Sequence, residues 1–356
     1  MANKDKYICF VHIGMQRDGA ERVIAKLANR YAEDGYKVDI IILLVEGCGY
    51  QLHKNVRIVS LVRNNYSRVG NLIYWIQGIR NHIKITNPKH VISFSMYVNI
   101  FTLIACIGLG KDILISERND PSSDGRSKFD IVLTYALYGL ANKVVFQTKR
   151  AQNCFPKYIR EKSRVIYNPI EVSTVAKHRT LARKKIVTVG RLEAQKNQIM
   201  LIEAMSDVIK EYPNCCLEIY GEGTLRSKLM KLIIELDLRE NVKLLGNVVN
   251  IHERIADSDI FVLPSNYEGM SNALLEALMM GLPCISTNCA GSDEIILNQD
   301  NGILVPIGNR HAMAEAIILL LNNDELSKRL GINAKKKSKI FSSELVLQKW
   351  LEYIES

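Results

Sequence analysis

The chain has 356 residues, 47% hydrophobic and 24% charged, a length and balance that fit two globular domains and exclude a disordered or fibrous protein. No apolar run reaches the roughly 18–20 residues that cross a bilayer, and the first fourteen residues read as an opening strand, not as a signal peptide. The net charge of +10 is uneven: residues 1–170 hold 25 Lys+Arg against 13 Asp+Glu, or +12, whereas residues 171–356 hold 22 against 24, or −2.

YICFVHI (7–13) reads as the first strand, and AERVIAKLANRYAEDG (20–35) as an amphipathic helix stopped by Gly35. Between them, GMQRDGAER is bracketed by Gly14 and Gly19, residues that let backbone amides approach a phosphate at a helix N-terminus. It is neither a dinucleotide fingerprint nor a P-loop. YKVDIIILL, VRIVSL, HVISFS, DILISE and KVVFQT follow as strands with helical stretches between most of them. From Gly47 to Lys111 no acid occurs, while Lys54, Arg57, Arg63, Arg68, Arg80, Lys84, Lys89 and Lys111 do. Such a one-signed stretch favours an anionic partner: a nucleic acid, an anionic membrane or a phosphorylated substrate. Within it NLIYWIQGIRNHIKI (71–85) places Leu72, Ile73, Ile76, Ile79 and Ile83 at helical spacing, with Arg80, His82 and Lys84 adding charge. It reads either as an ordinary covering helix or as a patch that sits on anionic lipid.

The alternation weakens at 170–183, where we place a linker (171–183) between a first domain (1–170) and a second (184–340). KIVTVG, CLEIYG, VKLLG, DIFVLPS, CISTN and GILVP are strands of the second set, again separated by helices, and 341–356 is a terminal helix that could return to the first domain. The fold class is α/β, two doubly wound Rossmann-like domains. Ligands of such sheets sit beyond the carboxyl ends of the strands, so a cleft between facing domains is the expected site. The eight cysteines form no CxxC pair and no Cys/His cluster at zinc spacing, as expected of reduced thiols in a cytosolic protein.

Two constellations in the second domain carry chemistry. In YEGMSNALLEALMMG (267–281) Ser271 is a helix N-cap and Gly281 a terminator. The helix is apolar all round except for Glu276, and a buried carboxylate without donors costs several kcal/mol. The donors could be ribose hydroxyls of a ligand, with Glu268 reaching a neighbouring group, or a neighbouring helix end or internal Arg. In GRLEAQKNQ, Arg191 and Lys196 follow Gly190 at a strand end. They suit a diphosphate, or are two solvated loop cations. Asp257-Ser258-Asp259 resembles a metal-binding DxD but precedes a strand, and is read as helix capping; Met279–Met280 is read as core filling.

Together, in this order, DGAER, GR…K, YGEG (220–223) and Glu268-x₇-Glu276 resemble the retaining glycosyltransferases of family four, which have the GT-B fold. The resemblance spans nearly the whole chain and is most specific over 185–310. It implies that Gly190, Arg191 and Lys196 hold the diphosphate of a nucleotide sugar and stabilise the leaving nucleotide. It further implies that Glu276 binds the ribose and Glu268 faces the transferred sugar, with Gly269, Met270 and Ser271 offering backbone contacts. Asn247 and Val248 would lie by the base and Gly19 would approach the phosphates. Where relatives often carry a histidine, this chain has Arg118 in ISERNDP; Glu117, Asn119, Asp120 and His12 are polar alternatives.

The expected activity is therefore retaining transfer of a hexosyl or N-acetylhexosaminyl group, without a metal or other cofactor, from a UDP-linked donor. The expected acceptor is a lipid-linked glycan of surface polysaccharide (capsule or exopolysaccharide) assembly. The enzyme would be cytoplasmic and peripheral on the inner face of the membrane. A GT-B sugar-nucleotide epimerase and a basic nucleic-acid-binding protein are the alternatives. Against the second, the basic half lacks a recognisable nucleic-acid motif, so no nucleic-acid partner is expected.

Overall fold

The computed structural model describes residues 6–16, 19–63, 68–122, 124–172 and 184–356. The linker assigned to 171–183 lies almost wholly outside them. The chain divides into two compact units, 1–169 with 344–356, and 170–343.

The first unit runs β1 (Tyr7–His12), α1 (Gly19–Glu33), β2 (Lys37–Ile42), β3 (Val56–Ser60), α2 (Arg68–Thr86), β4 (His90–Phe94) and α3 (Met96–Cys106). It continues β5 (Asp112–Glu117), α4 (Lys128–Tyr138), β6 (Lys143–Phe146), α5 (Lys149–Asn153), α6 (Lys157–Arg160) and β7 (Ser163–Val165). All strands are parallel in the order β3-β2-β1-β4-β5-β6-β7, with Phe10 opposite both Ile40 and Ile92. Every residue of β4 is buried, as a strand covered on both faces requires. Period-two alternation sorts the layers. Ile8, Phe10, Ile40 and Phe94 pack with Val23 and Leu27 of α1, whereas Cys9, Val11, Ile41 and Val91 pack with Ile79 of α2, Leu103 of α3 and Tyr138 of α4.

The second unit runs β8 (Lys185–Val189), α7 (Gln198–Glu211), β9 (Cys216–Tyr220), α8 (Arg226–Glu235), β10 (Val242–Gly246), α9 (Ile251–Ile255) and β11 (Ile260–Leu263). It continues α10 (Asn272–Met279), β12 (Cys284–Thr287), α11 (Ser292–Ile295), β13 (Ile303–Val305), α12 (Arg310–Asn322) and α13 (Asp324–Lys337). Its parallel order, β10-β9-β8-β11-β12-β13, reverses direction between β8 and β11. The carboxyl ends of those two strands therefore flank the topological switch point, where open α/β sheets bind ligands. The last helix, α14 (Ser343–Glu355), is built into the first unit. Its fully buried Trp350 lies 5.6 Å from the Phe94 ring, Tyr353 donates to the Lys162 carbonyl at 2.6 Å, and Lys89 meets Glu355 at 2.5 Å.

Three expectations change. Asp257 and Asp259 serve a strand: Asp259 accepts from the Lys185 backbone N–H at 2.8 Å and Asp257 pairs with its ammonium at 3.0 Å, fixing the amino end of β8. Met279 and Met280, at the end of α10, are only partly buried. Some positive groups of the acid-free stretch have partners inside the unit, while Lys54, Arg57, Arg63, Lys84 and Lys89 stay exposed. Arg57 and His82 both reach the buried Asp39, at 2.7 Å each, and Arg80 donates to the carbonyls of Ala105 and Ile107 at 2.8 Å. Burial pushes the Asp39 carboxyl up, but donors on His82, Arg57 and Tyr7 outweigh it and hold it well below the usual carboxylate range.

Candidate functional site

At the end of β8 the chain crosses Gly190 and Arg191, makes a single 3₁₀ turn (Ala194–Lys196), and enters α7 through Asn197. Asn197 is left-handed (φ 47°), and its side chain accepts from Met200 N to cap the helix. The turn is braced from two sides. On one, Leu192 N donates to Glu222 O at 2.9 Å and Thr224 donates through both its backbone N–H and its hydroxyl to Glu193. The Thr224 backbone N–H, then its hydroxyl, holds the Glu193 carboxyl below its usual value. Gly221 takes φ +136°, and a Cβ there would stand 2.0 Å from the Gly190 carbonyl oxygen. The YGEG run is thus a backbone surface against which the GR loop packs.

On the other side the turn is laced to the loop after β11. Asn266 N donates to Gln195 O at 2.8 Å, Asn266 Nδ2 to Ala194 O at 2.9 Å, Asn197 Nδ2 to Asn266 Oδ1 at 2.9 Å and Gln195 Nε2 to Tyr267 O at 3.0 Å. Lys196 closes the seam: its ammonium lies 2.5 Å from Glu268 Oε1, which also accepts from the Ser265 hydroxyl at 2.6 Å. Lys196 and Glu268 are only 15% and 7% exposed, so the pair is screened little by solvent. The Arg191 carbonyl accepts from Gln198 Nε2 at 2.9 Å, while its side chain is exposed and makes no hydrogen bond or salt bridge among the described residues.

The loop then enters α10. Ser271 caps it, accepting from Leu274 N, and Gly281 ends it, with Leu282 N returning to Ala277 O at 3.0 Å. Gly291 (φ +83°) comes so close that a Cβ would lie 2.1 Å from the Gly269 carbonyl, fixing the path of Gly269, Met270 and Ser271. Leu274 to Leu278 are all buried, Glu276 among them. Its partner is His252 of α9, whose Nε2 stands 3.3 Å from Glu276 Oε2, with the two side chains 18% and 8% exposed. Asn247 and Val248, just before α9, follow the carboxyl end of the neighbouring β10.

Hence the second unit gathers Gly190, Arg191, Lys196, Glu268, Gly269, Met270, Ser271 and Glu276 on the loops around its switch point. Sequence reasoning missed His252, Ser265 and the Asn197–Asn266 lacing. In the first unit Gly19 is the first residue of α1, while the Arg17 and Asp18 of its loop lie outside the described residues. Arg118 is buried: it donates to Asn168 Oδ1 at 2.6 Å and its guanidinium stands 5.6 Å from the Phe94 ring centre. Glu117, whose carboxyl burial pushes up, accepts from Tyr138 at 2.9 Å. Asp120 accepts from Ser122 and faces Arg150 at 3.5 Å, and His12 Nδ1 lies 3.3 Å from Phe94 O. Asn119 alone of these is exposed.

The family model "Glycosyl transferases group 1" matches residues 174–337, and "Glycosyltransferase Family 4" matches residues 17–174. The chain is a family 4, group 1 glycosyltransferase. A Campylobacter jejuni relative is 25% identical over 98% of each chain. It is named GalNAc-alpha-(1->4)-GalNAc-alpha-(1->3)-diNAcBac-PP-undecaprenol alpha-1,4-N-acetyl-D-galactosaminyltransferase. Among solved structures, sucrose-phosphate synthase from Thermosynechococcus elongatus superposes with a TM-score of 0.85 at 16% identity, covering 98% of each chain. Anabaena HepE in complex with UDP-glucose gives 0.82 at 17%, covering 98% of this glycosyltransferase and 99% of HepE. These likenesses show the glycosyltransferase to have the GT-B fold of two Rossmann-like units.

Proposed function

We propose that this glycosyltransferase moves a hexosyl or N-acetylhexosaminyl group, with retention, from a UDP-linked sugar to a lipid-linked glycan in surface polysaccharide assembly. The observation that carries the donor side is the meeting of two cations and a buried acid around one switch point. Departure of a nucleoside diphosphate develops negative charge, and preorganised donors aimed at it lower the barrier. Arg191 supplies an exposed fork. Lys196 supplies a point charge already oriented by Glu268, and the positive end of the α10 dipole adds to both. Such an arrangement calls for no metal ion. Glu276 offers its carboxylate to the ribose diol while His252 fixes its rotation. Glu268, shared between Ser265 and Lys196, lies where the transferred sugar would stand, and Asn247 and Val248 by the base. The acceptor side rests on the Campylobacter relative, named for an undecaprenol diphosphate-linked glycan. A lipid-linked acceptor would bring the protein to the inner face of the membrane as a peripheral enzyme. No helix among the described residues is long and apolar enough to cross it.

Titration calorimetry with UDP and 2′,3′-dideoxy-UDP tests the donor site. Hydrogen bonds to a charged group are each worth about 1.5–3 kcal/mol, and the dideoxy nucleotide loses two, so it should bind more weakly by roughly a hundredfold or more. Glu276→Gln should bring the two affinities close together. Equal affinity of the wild type for both nucleotides would remove Glu276 from the ribose. The anomeric configuration of the product, read by NMR, checks retention.

A further inference from the structure

Helix α4 presents a face that water does not favour. A surface helix ordinarily turns its polar stripe outward. Here the outward stripe is Phe129, Val132 and Ala136, spaced three and four residues apart, followed by Leu140 in the turn after the helix. Phe129, Val132 and Leu140 are 72%, 67% and 50% exposed, and Ala136 is exposed as well. The fold does not lack a way to bury α4: its other side packs Thr134 and Tyr138 into the core, and Tyr138 stacks on Phe155 at 5.6 Å. The helix is therefore docked in its proper place with an apolar stripe left over. Two half-exposed tyrosines edge the stripe. Tyr97 of α3 reaches Asp130 of α4 at 3.5 Å, and Tyr158 of α6 donates to the Tyr135 carbonyl at 2.8 Å. Cations stand at both ends: Lys128 beside Phe129, and Lys157 and Arg160 on α6, all exposed, against Asp130 in the capping box and Glu161 beside Lys157.

We infer that this stripe is the surface by which the protein seats on an anionic lipid bilayer. Apolar side chains on one face, aromatic rings at the border and lysines at the rim match the layers of a membrane interface: acyl boundary, headgroup level and anionic surface. The charge of +12 over residues 1–170 suits the same partner. The assignment moves the membrane face away from α2. There Ile79 and Ile83 are fully buried, Arg80 and His82 are committed to internal partners, and Ile73 alone of the apolar positions predicted at helical spacing is exposed, at 52%. The position also suits the chemistry. The start of α4 follows the loop 118–127, which leaves the carboxyl edge of β5, so lipid held along the stripe lies beside the ligand-binding edge of the first sheet. The inference rests on the reading that the enzyme works at a membrane, and names the element that makes the contact.

The test is co-sedimentation of the full chain with vesicles of pure phosphatidylcholine and of phosphatidylcholine carrying about 30% phosphatidylglycerol. The wild type should bind the anionic vesicles, less so at high salt. The pair Phe129→Ser and Val132→Ser, and separately Leu140→Ser, remove only exposed apolar surface, so their melting temperatures should match the wild type. The pair should lower the partition coefficient by roughly tenfold to a hundredfold. Ile73→Ser on α2 should change it little. Binding by the wild type that survives the pair and Leu140→Ser unchanged overturns the assignment of α4 while leaving membrane association standing. No binding of the wild type to anionic vesicles overturns both. A wild-type dimer in sedimentation velocity that the pair turns into a monomer gives the stripe to a second copy of the chain and likewise overturns the inference.

Discussion

Lys196→Ala separates the two tasks that one ammonium performs. In the ligand-free chain Lys196 neutralises Glu268 at 2.5 Å, with both side chains largely buried. Truncating it leaves a carboxylate in a desolvated seam, with the Ser265 hydroxyl still donating to it at 2.6 Å. Breaking a buried pair from one side costs about 3–5 kcal/mol. The partial exposure of the lysine and the retained Ser265 hydrogen bond put this case at the low end, about 3 kcal/mol. For a unit of this size each kcal/mol lowers the melting temperature by about 2–4 °C, so the second unit should melt about 6–12 °C lower. Differential scanning calorimetry reads that value. UDP affinity should fall as well, by roughly tenfold to a hundredfold, through loss of a charged contact to phosphate. The two losses part company in the double variant Lys196→Met, Glu268→Gln. It removes the stranded charge, so most of the melting temperature should return while UDP affinity stays low. Wild-type UDP affinity in the double variant would show that Lys196 serves only the fold. Unchanged melting in Lys196→Ala would show that the pair at 2.5 Å contributes nothing to stability.

His252→Ala should weaken UDP by about tenfold and leave 2′,3′-dideoxy-UDP unaffected, because the imidazole acts on the ribose through Glu276; equal losses for both nucleotides would make it a packing residue only. Asp39→Asn should flatten the acid limb of the first unit's stability. The Asp39 carboxyl is held below its usual range, so its contribution is present above about pH 4 and is lost as pH falls further. Melting curves between about pH 6 and pH 2 decide it, and parallel wild-type and variant profiles would refute the role of the His82–Arg57–Tyr7 donors.

What the sequence displayed was short-range. Strand and helix succession, the Ser271 cap and the Gly281 stop are each written within a few residues, because capping and period are local physics. Gly190, Arg191, Glu268 and Glu276 were legible as candidates because each sits at a strand end or in an improbable place for a charge. What was not legible is who faces whom. Lys196 and Glu268 are 72 residues apart, and nothing local says that β8 and β11 are neighbours. That follows only from the sheet order reversing at β8. The same reversal explains why Lys196 could be read with Arg191 as one of two solvated loop cations, yet in the fold forms one seam with Glu268. His252 escaped notice for the same reason, since it reaches Glu276 from a helix that follows β10. Charge counting failed differently. It could not show that one buried acid and two helix-end carbonyls take donors of Arg57, Arg80 and His82, although Arg57 does lie at the surface. A cation's partners are set by the acceptors that folding brings to it: a single Asp39 before the acid-free stretch engages both the half-buried His82 and Arg57, whose side chain stays 64% exposed.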